Sequence, residues 1–164
     1  MAAKLVVLLL GHQSAGKSTT WYELFGEQVR TGQSMRRLDL TRCHYIEDVF
    51  LVNGSPEERE ESISDIIGDN RPTVVLCSTQ YVASNKTISY FIKEEYDLYV
   101  HWLNPGYRDV RAYPDDLNLA NKLLSAGATV AKRDGRLPSH GRVNEIREFV
   151  FGWASARNLI NTDF

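Results

Sequence analysis

The chain has 164 residues, 43% of them hydrophobic and 24% charged. That composition suits one ordinary globular core and excludes collagen-like, low-complexity and multidomain architectures. Nineteen Lys and Arg against 21 Asp and Glu leave a net charge of -2, which excludes a bulk polycation but leaves room for a local basic groove. In chain order, the apolar run at residues 4–10 predicts a buried strand, and a helix follows from Lys17 to about Gln28 with Trp21, Leu24 and Phe25 on one face. A shorter candidate strand at 37–40 precedes a strand at 48–52. Ser55, Pro56 and Glu58 then read as N-cap, first-turn proline and capping-box partner of a helix that continues through Ile63, Ile66 and Ile67 to a stop at Gly68. A strand at 73–77, a helix carrying Ile88, Phe91 and Ile92, and a strand at 98–103 come next. A helix from Pro114 or Asp115 to Ala126 closes on Gly127, a strand follows at 128–131, and a last helix carries Val143, Ile146, Phe149, Val150 and Trp153 as an apolar stripe. Strands alternating with helices in this way predict one α/β domain over residues 1–164, with helices on both faces of a mainly parallel sheet of about five strands.

Two cysteines, Cys43 and Cys77, form neither a disulfide framework nor a CxxC metal or redox spacing. The run at 5–10 is too short to cross a bilayer and has no signal-cleavage pattern after it. The expectation is a soluble cytoplasmic protein without a membrane anchor.

The first strand runs directly into Gly11, His12, Gln13, Ser14, Ala15, Gly16, Lys17 and Ser18, which fits GxxxxGK[ST] with no mismatch. In such a loop the glycines let the backbone curl around an anion so that successive N–H groups point inward, and the following helix adds the positive end of its dipole. Lys17 would reach the β- and γ-phosphates, and the Ser18 hydroxyl would hold Mg²⁺. The same string can be a plain turn, but a buried-strand pattern before it and an amphipathic helix after it supply the context that anion binding requires. On these residues the chain resembles the P-loop NTPase superfamily, and the alternating pattern extends the resemblance across most of its length. The resemblance implies a three-layer P-loop fold, with ATP and Mg²⁺ at Gly11 to Thr19.

Absences narrow the class. The nearest string to the guanine-reading NKxD is Asn85, Lys86, Thr87 and Ile88, with isoleucine in place of the aspartate and a helix start as the simpler reading. Neither 49–52 nor 73–77 ends in the acid of a Walker B strand, so Asn53 or Ser78 would have to stand there. A compact kinase-like protein is what remains. Phosphoryl transfer to a hydroxyl needs a carboxylate near the acceptor and cations around the transferring group. In a parallel sheet these belong at the carboxyl ends of the strands.

Residues 35–48 contain Arg36, Arg37, Asp39, Arg42, His44, Glu47 and Asp48. Asp39 between arginines resembles the proton-accepting aspartate of polynucleotide-kinase-like enzymes, with Arg42 beside it in the catalytic set and Arg36 and Arg37 on the acceptor. The plain alternative is a solvated charged hairpin. Residues 30–42 carry four Arg and one Asp, residues 132–147 five basic and two acidic, and residues 57–69 six acidic and one Arg. Two basic segments at the sheet edge would form a phosphate-tracking groove, with Tyr81, Trp102, Tyr107 and Tyr113 for base stacking. Arg133 would contact the bound nucleotide, and His140 and Arg142 would form a small lid or clamp. Trp102 inside a strand is equally a core residue.

The phrases VLCSTQY at 75–81, WLNPGY at 102–107 and FLVNGSPEER at 50–59 are similar to small phage kinases that phosphorylate 5-hydroxymethyluracil in DNA. That resemblance implies a hydroxymethyl acceptor on a flipped-out base, in a pocket for which Gln80, Tyr81, Asn104 and Tyr107 are the candidates. The expected activity is thus an ATP- and Mg²⁺-dependent kinase for a hydroxyl on a nucleotide or nucleic acid, with DNA as the favoured partner. A nucleotide-dependent switch that regulates a partner, and a kinase for a free small molecule, are the alternatives.

Overall fold

A computed structural model describes residues 4–31 and 34–163. The strands are β1 (Leu5–Gly11), β2 (Arg36–Asp39), β3 (His44–Val52), β4 (Val74–Gln80), β5 (Asp97–Leu103), β6 (Thr129–Arg133) and β7 (Asn161–Thr162). The helices are α1 (Lys17–Phe25), α2 (Pro56–Arg59), α3 (Ile63–Ile67), α4 (Lys86–Lys93), α5 (Leu119–Ser125) and α6 (His140–Ser155). The strands form a seven-stranded mixed sheet in the order β2-β3-β4-β1-β5-β6, with β7 also on β3. β3, β4, β1, β5 and β6 run parallel, and β2 and β7 pair antiparallel with β3.

Side-chain alternation on the central strand explains the layering. Val6, Leu8 and Leu10 pack with Ile63, Ile67, Ile88, Phe91, Leu119 and Leu123 on one face. Leu5, Val7 and Leu9 pack with Trp21, Leu24, Val143, Ile146 and Val150 on the other. The sheet therefore lies between α3, α4 and α5 on one side and α1 and α6 on the other. β1 has no residue at the surface, as a strand covered on both faces requires. Its outgoing connection runs toward β2 and β3, whereas those of its neighbours β4 and β5 run the opposite way. The carboxyl end of β1 is thus a topological switch point, where open α/β sheets leave a crevice.

Several boundaries differ from those the periodicity predicts. The periodicity predicts about five strands, and the described residues form seven: the 37–40 candidate forms as β2, while β7 is an exposed two-residue pairing that no local pattern announces. α1 ends at Phe25 rather than near Gln28, because Gly26 turns left-handed at φ 73 and donates its N–H to Glu23 O. The single helix expected from Ser55 to Gly68 is two, broken where Glu60 adopts φ 56 and restarted by a second N-cap, Ser62, which accepts from Asp65 N. α5 begins at Leu119 rather than at Pro114 or Asp115. The Asp115 carboxylate instead accepts from Ala120 N, Asn121 N and the Tyr81 hydroxyl, tying the preceding segment to the helix start. Asn85 is the helix cap expected of it, accepting from Ile88 N, but it is buried rather than solvated and also donates to Thr79 Oγ1 and Gln80 O. Cys43 and Cys77 are both free. No helix among the described residues is long and apolar enough to cross a membrane.

Candidate functional site

β1 delivers its chain into a loop that no regular element continues. Gly16 takes φ 105, a left-handed conformation that opens α1 without a side-chain cap. The first intrahelical bond is Thr20 N to Gly16 O, so the N–H groups of Lys17, Ser18 and Thr19 precede the helical ladder and are free for a ligand. Ala15 is held from two sides. Its carbonyl accepts from Tyr107 N at 3.0 Å. A Cβ on Gly106 or Gly135 would stand 2.7 Å from Ala15 Cβ or 2.5 Å from Ala15 O. The loops that follow β5 and β6 therefore close on the loop that follows β1 in glycine-only contacts.

A cleft of about 710 Å³ opens at this point. Gln13, Ser14, Ala15, Gly16, Lys17, Ser18 and Thr19 form its floor. Asn53, Gly54, Ser55 and Glu58 line the β3 flank, and Tyr107, Arg108, Arg136 and Arg142, with residues around Leu137, line the flank beyond β5 and β6. Lys17 is 6% exposed and donates from Nζ to Gly11 O at 3.0 Å and His12 O at 2.9 Å. Burial lowers its pKa to about 8, against the opposing pull of Glu58 and Glu57. Ser18 and Thr19 are exposed. Thr20 is buried, donates to Gly16 O and accepts from Arg142 Nη2, which anchors the start of α1 to α6. Burial lowers the Arg142 pKa, and its Nε has no hydrogen-bond partner. The arrangement can hold a polyanion: backbone N–H groups, Lys17 and Arg108 converge on one cleft, with the buried Arg142 guanidinium beneath it and Arg136 already paired with Asp134.

Glu58 is the cleft's carboxylate, and it arrives there through a short-range device. Ser55 caps α2 by accepting from Glu58 N at 3.2 Å. The Glu58 side chain does not turn back to complete the capping box but accepts from Gln80 Nε2 at 2.6 Å. Its neighbour Glu57 accepts from Gln80 N, Thr79 Oγ1 and Thr87 Oγ1, so it binds α2 to the end of β4 and the start of α4.

The sequence placed other residues in the site that the fold disposes of elsewhere. Asp39 pairs with Tyr45, seven residues before the end of β3 at Val52. Because β2 runs antiparallel, Asp39 and Arg42 lie at the amino end of the parallel strands, about 20 Å from the cleft. Arg37 bridges Asp39 and Asp163 and stacks on Tyr45, and Arg36 donates to Arg30 O. This hairpin is the solvated charged alternative, with local ion pairs. Ser78, a proposed stand-in for the Walker B acid, is fully buried and accepts from Trp21 Nε1 at 2.8 Å.

The proposed acceptor pocket is likewise largely structural. Tyr81 and Trp102 are 6% and 7% exposed and stack on each other, and Tyr113 stacks on His12 at 4.0 Å. Burial, with the bond to Asp115, pushes the Tyr81 pKa up to about 12. Asn104 is buried and spends its amide on both backbone groups of Tyr113. Gln80 serves Glu58, and only Tyr107, 62% exposed, is available for stacking. Of the second basic segment, Arg133 is clamped by Glu145 and Arg136 by Asp134, while Arg142 is buried. The two-segment groove does not form; Gly135 packs against the first loop, and Arg142 Nη1 donates to Leu137 O. His140 stands exposed at the start of α6.

Glu58, Arg108 and Arg136 were not predicted as site residues. Glu58 is visible in the sequence only as a capping residue, and the arginines only as charge. No family model, curated protein or solved structure matches this chain.

Proposed function

We propose that the chain is an ATP- and Mg²⁺-dependent kinase built on a P-loop NTPase fold, transferring a phosphoryl group to a hydroxyl. The observation that carries this reading is Lys17, buried yet held at the cleft floor on two loop carbonyls, directly beside the unladdered N–H groups of α1. ATP supplies the phosphoryl group and Mg²⁺ the charge neutralisation that lets it transfer. The residues present fit both. The N–H groups of Lys17, Ser18 and Thr19 bind phosphate oxygens, Lys17 exchanges its carbonyl partners for the β- and γ-phosphates, and the Ser18 hydroxyl reaches the metal. Among the described residues no group of three His, Cys, Asp or Glu side chains could hold a metal ion. An Mg²⁺ ion here would take its remaining ligands from water and phosphate, as this ion prefers. Arg108, which lines the cleft, neutralises the phosphate chain, and Tyr107 with Leu137 offers an apolar flank for the adenine.

The hydroxymethyl group of 5-hydroxymethyluracil in DNA is the acceptor that the similarity of residues 50–59, 75–81 and 102–107 suggests. Incubation of such DNA with the protein and ATP, followed by mass spectrometry of the nucleosides, should show the mass of one added phosphate. Lys17→Ala should abolish it, and unchanged transfer by Lys17→Ala would refute the kinase reading. A second reading, a nucleotide-dependent switch, is favoured by the latch of residues 104–113 on the loop through the His12–Tyr113 stack and the His12–Asp109 contact at 3.3 Å. ATP consumption that proceeds without any acceptor would select the switch.

A further inference from the structure

The two flanks of the cleft differ in charge, and the difference reads as a division between donor and acceptor. Beyond β5 and β6 the lining carries Arg108 and Arg142, and Arg136, which is paired with Asp134. On the β3 flank the lining is Asn53, Gly54, Ser55 and Glu58, with a carboxylate and no cation. Arg59, the basic residue of α2, turns away to Glu61 at 3.1 Å. A flank of this kind repels a phosphate and favours a neutral group with a proton to give.

The carboxylate is also fixed in place. Glu57 makes three hydrogen bonds, to Gln80 N at 2.6 Å, Thr79 Oγ1 at 2.8 Å and Thr87 Oγ1 at 2.5 Å. They bind a four-residue helix to the end of β4, the strand that carries no acid of its own. Gln80 then joins the two glutamates, giving its backbone N–H to Glu57 and its side-chain amide to Glu58. Such support is what holds an acid–base group in productive geometry.

We propose that α2 supplies the carboxylate missing from β4: Glu58 accepts the proton of a neutral hydroxyl acceptor, and Glu57 is the positioning residue that holds it opposite Lys17. The inference rests on the kinase reading. In the step, the acceptor oxygen forms a bond to the γ-phosphorus of ATP while its proton passes to Glu58. The bond from that phosphorus to the β–γ bridging oxygen breaks, and its electron pair leaves with ADP. A phosphate acceptor, such as a nucleoside monophosphate, would meet Glu58 with like charge.

The test compares wild type, Glu58→Gln, Glu57→Gln and Thr87→Val. It measures ATP binding, melting temperature, and transfer from γ-labelled ATP to neutral hydroxyl acceptors (hydroxymethyluracil DNA, nucleosides) and to nucleoside monophosphates. Wild type should label hydroxyl acceptors in preference to monophosphates. Glu58→Gln should keep ATP binding, lose about 10²- to 10⁴-fold in kcat and lose the acidic limb of the pH–rate profile. Glu57→Gln should lose about 10- to 100-fold in kcat with KM for ATP unchanged. Thr87→Val, which keeps the carboxylate and removes one of its donors, should show a smaller loss of the same kind. Glu58→Gln within twofold of wild type, or a preference for monophosphates, overturns the inference and leaves the kinase standing. Wild type that labels no acceptor of either class overturns both.

Discussion

Gly135→Ala tests whether the three loops around the cleft form one packed unit. The added Cβ would stand 2.5 Å from Ala15 O, 3.1 Å from Gly106 Cα and 3.2 Å from Pro105 O, all backbone atoms. An ordinary contact begins at 3.4 Å, so Ala15 and residue 135 must separate by about 0.9 Å. Neither is free to do so, since Ala15 O accepts from Tyr107 N at 3.0 Å and Gly135 N donates to Pro105 O at 2.7 Å. Overpacking of this kind costs about 1–3 kcal/mol. At about 2–4 °C per kcal/mol for a domain of this size, Tm should fall by roughly 2–12 °C. Because Ala15 belongs to the floor of the cleft, ATP binding should weaken with it. Gly152→Ala is the internal control: it lies inside α6, and its Cβ would meet no heavy atom within 4 Å. It should gain about 0.5–1 kcal/mol from helix propensity and bind ATP as wild type does. Thermal melts and nucleotide titrations of the two variants measure both effects. Gly135→Ala melting within about 1 °C of wild type and binding ATP normally would refute the packed-unit reasoning.

Asp39→Asn should leave phosphoryl transfer within about twofold of wild type, because β2 carries residue 39 to the far end of the sheet; a large loss of kcat would return the proton-accepting role to it. Lys17, with its pKa lowered to about 8, should lose its charge in the free protein as pH rises through that value. Affinity for ATP, titrated calorimetrically, should then decline above about pH 8. Between about 8 and 10.5 the unfolded chain binds the extra proton, so this group's contribution to stability rises with pH in that window, the opposite sense to binding. His101 is buried, accepts or donates at Nε2 with the Tyr99 hydroxyl at 2.9 Å and has an unpartnered Nδ1; burial lowers its pKa from 6.5 to about 4. The unfolded state binds more protons between those values, so stability should fall by about 3 kcal/mol as pH drops through the window. His101→Gln should flatten that slope in denaturant titrations at pH 6.5 and 4.5, and an unchanged slope would assign the acid sensitivity elsewhere.

The parts of the molecule legible in the sequence are those set by neighbours within a few residues. The all-apolar run of β1 reads as a doubly covered strand because both faces must be buried. Gly11 to Ser18 reads as a loop between strand and helix because Gly16 must take a left-handed turn. Ser55 and Asn85 read as caps because each accepts from the N–H three residues on. The tertiary structure alone decided the rest. Asp39 and Glu58 are both exposed acids in the sequence. The antiparallel direction of β2 removes the first from the strand ends, and three hydrogen bonds that Glu57 accepts from β4 and α4 bring the second to the cleft. Tyr81, Trp102 and Tyr113 have the composition of a stacking platform, and they stack on one another and His12 instead. Arg133 and Arg136 count as basic until Glu145 and Asp134 pair with them. Local caps and turns are fixed by the backbone's own hydrogen-bonding needs, whereas strand direction, ring stacking and ion pairing depend on which distant segments the closed sheet brings together.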